Sequence, residues 1–76
     1  MNAERRKQID TIMSILENMR NNIESVRDSE EVAYDNLPES LQNSDKGEKS
    51  QAAMTAMDSA AMDIDNAIDN LLEAQT

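Results

Sequence analysis

From Asn2 to about Asn36 the chain has neither Gly nor Pro, and Ile9, Ile12, Leu16, Met19, Ile23 and Val26 recur at alternating steps of three and four residues. That spacing is the apolar seam of one long helix packed on another. Asn2 can cap its start, with Glu4 in the first turn where the helix dipole favours an anion. Leu37-Pro38 disfavours helical geometry just before the proline, so the helix is predicted over about 3–36. A second arm, predicted over about 46–74, repeats the pattern with Met54, Met57, Ala61, Ile64, Ile68 and Leu71. Between the arms, the stretch from Asp35 to Gly47 holds the only Pro and the only Gly, which places a reversal at about 37–45. Within it Pro38 to Gln42 has room for one short helical turn, and Ser44 or Asp45 can cap the second arm, Asp45 with Glu48 as a capping box.

The two seams can be tested against each other. In an antiparallel hairpin the residue numbers of facing layers have a constant sum, and the pairs from Ile9 with Leu71 through Val26 with Met54 obey this about a centre at Ser40. The same register lets Arg20 face Asp65 and Arg27 face Asp58 on one edge, which Met13 and Leu72 complete. The fold class is therefore all-α: an antiparallel two-helix coiled-coil hairpin forming one domain over 1–76.

The opposite edge carries Ala53, Ala60, Ala67 and Ala74, one alanine every seven residues, facing Gln8, Ile15, Asn22 and Ser29. Alanine is the best helix former, but propensity alone does not impose strict spacing or keep the facing strip free of charge. Ile15 with the four alanines is therefore the expected interface of a homodimer, two hairpins joining as a four-helix bundle. Size points the same way. At 76 residues a single core rarely supplies more than about 3–5 kcal/mol without a staple or a partner subunit.

Composition then removes function classes. With no Cys and no His there is no disulfide, thiolate zinc site or imidazole base, and a two-helix hairpin offers no water-excluding pocket for a carboxylate pair. No enzyme activity, cofactor, metal or small-molecule substrate is expected. Tyr34 is the only aromatic residue, and the net charge of −9 repels nucleic acid and anionic membranes. The start is not followed by an apolar run of signal-peptide length, and nothing approaches the ~20 apolar residues of a membrane span, so a cytoplasmic location is expected. The run Met62-Asp63-Ile64-Asp65-Asn66-Ala67-Ile68-Asp69-Asn70 superficially resembles a calcium loop but lacks the glycine of its sharp turn, and reads as a solvated acidic face. Asp28, Glu30 and Glu31 read the same way. Met62 lies off the seam. After residue 49 the chain has no Lys or Arg, so Asp58, Asp63, Asp65 and Asp69 could also imitate a nucleic-acid backbone.

The centre of the chain, Tyr34-Asp35-Asn36-Leu37-Pro38-Glu39-Ser40-Leu41-Gln42-Asn43-Ser44-Asp45-Lys46-Gly47-Glu48, resembles that of small acidic helical-hairpin proteins of bacteria, phages and prophages. The likeness covers nearly the whole chain, but only the turn is distinctive. It implies a phage or prophage accessory protein and brings no defined activity with it. Two roles for Tyr34, Leu37, Pro38 and Leu41 stay open: a plug over the open end of the helix pair, or an exposed contact for a host or phage protein. The expected function is a protein–protein interaction module that binds and modulates a host or phage protein. A nucleic-acid enzyme held by an acidic DNA mimic is one such partner, and a structural or assembly factor acting through the bundle is the alternative.

Overall fold

The computed structural model describes residues 1–76. Three helices occur in order: α1 (Ala3–Asp35), α2 (Glu39–Gln42) and α3 (Asp45–Ala74). The two long helices pack along each other, and α2 closes the reversal against α3. The result is a rod of 58 × 15 × 11 Å, with a radius of gyration of 17.3 Å. A compact domain of this length would have about 11 Å.

Local chemistry sets the ends. Asn2 Oδ1 accepts the Arg5 N–H at 2.8 Å and starts α1, while the Asn36 N–H reaches back to the Val32 carbonyl at 3.1 Å and closes it. The short helical turn expected near Pro38 is α2. Ser44 stands before α3 in extended geometry (φ −91°, ψ 176°), but its hydroxyl donates to the Leu41 carbonyl at 2.5 Å and leaves the helix start uncapped. Asp45 is the first helical residue, so the expected Asp45–Glu48 capping box does not form. Both carboxylates still lie in the first turn, where the helix dipole favours them.

Gly47, expected as turn punctuation, has a different role. It sits buried inside the first turn of α3 with an ordinary negative φ, so conformational freedom does not explain it. A Cβ there would lie 1.9 Å from the Gln42 carbonyl oxygen. Only the absence of a side chain lets α2 approach this closely.

Contacts between the arms pair Glu30 with Ser50 and Tyr34 with Gln51 near the turn. Arg27 with Asp58 and Arg20 with Asp65 come next along the rod, and Asp10 with Gln75 lies at the open end. The midpoints of these pairs fall between Ser40 and Asn43, so the expected reversal about Ser40 is centred on α2.

The face that α1 turns to α3 is not the one the apolar spacing predicts. Ile9, Leu16 and Ile23 face inward and half-buried, but Ile12, Met19 and Val26 are 47, 53 and 60 % exposed. Their expected places are taken by Met13, Arg20, Arg27 and Tyr34, all half-buried. The physical reason lies in the polar contacts between the arms. With α1 rotated this way the arginine stems lie along α3 with their heads at Asp65 and Asp58, and Tyr34 meets Gln51. On α3 the expected seam holds: Met54 and Ala61 are buried and Met57, Ile64, Ile68 and Leu71 half-buried. The core is correspondingly thin, with four buried residues and no side chain fully enclosed.

Candidate interaction surface

Rotating α1 divides the rod into two unlike edges. Along the first, Arg20 Nε lies 2.6 Å from Asp65 and its Nη2 3.1 Å from Glu24. Arg27 Nε lies 3.1 Å from Asp58, and the same guanidinium pairs with Glu31. Neither Nε points its N–H along the line to the carboxylate, so these contacts are ion pairs rather than aligned hydrogen bonds. The Asp65 contact holds Arg20 above its ordinary pKa. At Arg27 desolvation pulls downward, and the Asp58 and Glu31 charges more than offset it. With the charged heads at the surface, this edge orients the helices more than it stabilises them.

Near the turn the contacts between the arms become hydrogen bonds. The Gln51 side chain donates to the Tyr34 hydroxyl at 2.9 Å, and Gln42 donates to the Tyr34 carbonyl at 3.2 Å. Ser50, buried, donates to Glu30 at 2.6 Å. The expectation that Glu30 and Glu31 are plain solvated surface is therefore corrected: both are half-buried, Glu30 on Ser50 and Glu31 on Arg27. Glu30 links the two arms, while Glu31 holds Arg27 from within α1. The residues of the conspicuous turn divide: Tyr34 and Leu37 are half-buried and close the end, whereas Pro38 and Leu41 are exposed. An open groove of about 290 Å³ runs beside them, lined by Ala33, Tyr34, Leu37, Lys46 and Lys49 among others.

The second edge carries no charge pair at all. Ile12, Ile15, Met19 and Val26 continue along α1 at steps of three, four and seven, each about half exposed or more. Alongside them on α3 lie the alanines, of which Ala60 and Ala67 are half-buried and Ala53 and Ala74 exposed. Between the two rows runs an apolar groove of about 360 Å³ lined by Asn22, Ile23, Val26, Ala56, Met57 and Ala60. The interface expected from Ile15 and the alanines thus gains Ile12, Met19 and Val26, which the sequence pattern assigns to the interior. Their signal is present but ambiguous, because Ile12 and Ile15 are equally well placed to join a seam with Met19.

The four aspartates of the acidic reading do not share one surface. Asp58 and Asp65 are engaged by Arg27 and Arg20, and Asp69 borders the same edge in an open cleft with Glu17 and Arg20. Asp63 is exposed on the opposite side of α3, next to the alanine row by its helical spacing. No three acidic side chains converge as a metal site would require. No helix is long and apolar enough to cross a membrane.

No family model, curated protein or solved structure matches the chain.

Proposed function

We propose that this protein is a non-enzymatic interaction module whose working form is a homodimer, two hairpins packed through their apolar edges into a four-helix bundle. The phage or prophage accessory role implied by the turn fits this reading: the assembled bundle presents its remaining surface to a host or phage protein. The observation that carries it is the row Ile12, Ile15, Met19 and Val26, left in solvent beside alanines that allow a helix to approach closely. Structural or assembly work through the same bundle is the alternative. A DNA mimic draws less support, because two of its four aspartates are neutralised by the chain's own arginines.

Light scattering at micromolar concentration tests the proposal. The wild type should run as a dimer. The pair Ala60→Glu with Ala67→Glu should run as a helical monomer, because burying two unpaired carboxylates per chain costs several kcal/mol. A wild-type monomer at these concentrations would overturn the reading.

A further inference from the structure

Resting on that dimer, we infer its arrangement: the two hairpins lie antiparallel, their turns at opposite ends, so that α1 packs on α1 of the second copy with the two-fold axis passing near Met19. Three observations converge on this.

The first is symmetry of the strip itself. Ile12 and Val26 stand seven residues to either side of Met19, so reversing the strip about Met19 places Ile12 over Val26 of the second copy and Met19 over its own equivalent. An isologous interface needs this kind of self-complementarity, and a two-fold axis across the rod supplies it. On the neighbouring helix the same operation lays alanine against alanine, a contact that tolerates an interaxial distance at the short end of the usual 8–10 Å.

The second is charge. Arg5, Arg6 and Lys7 make up three of the chain's seven basic residues, and all stand at the open end of the rod. Around the turn Glu30, Glu31, Asp35, Glu39, Asp45 and Glu48 outnumber Lys46 and Lys49. With Met19 at the centre, the basic start of one α1 comes level along the rod with the acidic end of the other, Arg5 near the height of Asp35. The same-end arrangement would instead press two acidic turns together in a dimer that already carries twice the charge of −9.

The third is size. A stable interface buries about 800 Å² per partner, and the two larger dimensions of the rod, 58 and 15 Å, bound a face of only roughly 900 Å², so nearly its whole length must be used. An antiparallel pair in register about its centre uses that full length. A pairing staggered toward either end would not.

Because the chain has no native Cys, single cysteines report the arrangement directly. Met19→Cys should form a disulfide-linked dimer in high yield under mild oxidation. Ile12→Cys and Val26→Cys should each stay uncrosslinked alone, yet crosslink to one another when mixed. Light scattering on the reduced proteins separates the dimer from its arrangement. A monomer would overturn the dimer itself. A dimer in which Val26→Cys links to itself, or Met19→Cys does not, would leave the dimer standing and overturn the antiparallel arrangement.

Discussion

The two edges of this hairpin are built from the same pair of helices and face opposite ways in chemistry as well as in space. On one, Arg20, Arg27 and Tyr34 reach across to Asp65, Asp58 and Gln51, so each long side chain finds its partner within the chain. On the other, Ile12, Met19 and Val26 find only small alanines and a shallow groove. The first edge is paired within the chain, whereas the second leaves its apolar side chains in solvent. The difference teaches that long side chains with charged heads can fill a seam as well as apolar ones: their stems cover α3 on the first edge, and the apolar side chains they displace remain available outside.

The comparison breaks most severely at Gly47, whose closeness to Gln42 fixes how the turn delivers α1 onto α3. Gly47→Ala gains up to about 1 kcal/mol of helix propensity but drives a methyl into backbone, an overpacking cost of typically 1–3 kcal/mol and more where backbone must move. The net expectation is a melting temperature lower by several degrees. An unchanged or raised value would show that α2 does not set the geometry.

A smaller effect is expected at Ser50, the buried polar link between the arms. Ser50→Ala removes its hydrogen bond to Glu30 and should lower the unfolding free energy by about 1 kcal/mol in urea titration. Ser50→Thr, which keeps the hydroxyl, should recover part of the loss. If both variants matched the wild type, the rotation of α1 would owe nothing to this contact.

Smallest of all should be the direct effect of the ion pairs, and there the comparison sharpens. Replacing Arg20 and Arg27 together by Met keeps the apolar stems, so the melting temperature should move by no more than a few degrees. Dimerisation should weaken measurably in sedimentation, because without its orienting contacts α1 is free to turn Met19 inward. The arginine contacts carry a clear sign in pH. Both pKa values are raised in the folded chain, so their contribution is fully present below the ordinary arginine value and is lost only as pH rises through the folded one. With no His or Cys in the chain, thermal stability should be flat from about pH 6 to 9. A sigmoidal change in that window would contradict the account.

Much of this architecture was legible in the sequence because a heptad pattern constrains many residues at once. The helix limits, the single helical turn at α2 and the facing of Arg20 to Asp65 all come from spacing and the turn residues. The rotation of α1 was not legible. A pattern that scores Arg as polar cannot anticipate that its methylenes will occupy a seam position while its head reaches solvent. Two candidate stripes on α1, one through Ile12 and one through Met13, share Ile9, Leu16 and Ile23, and only cross-helix chemistry chooses between them. Gly47 and the Glu30–Ser50 link escaped for a related reason: each depends on how closely two segments approach, a quantity with no periodic signature. The candidate interaction surface was half visible, the alanine row by its spacing and the isoleucine and methionine row hidden among positions that read as interior.

A core this thin also governs how the chain breathes. With four buried residues in the whole chain, most backbone amides of a lone hairpin are shielded by little beyond helical hydrogen bonds, which make up 55 of the 65 between backbone groups. Such a molecule opens locally by fraying and should exchange deuterium quickly along nearly its entire length. Any partner that covers the apolar edge would therefore write its footprint as a slow-exchanging stretch on a fast background, which makes the bare hairpin a sensitive recorder of whatever binds it.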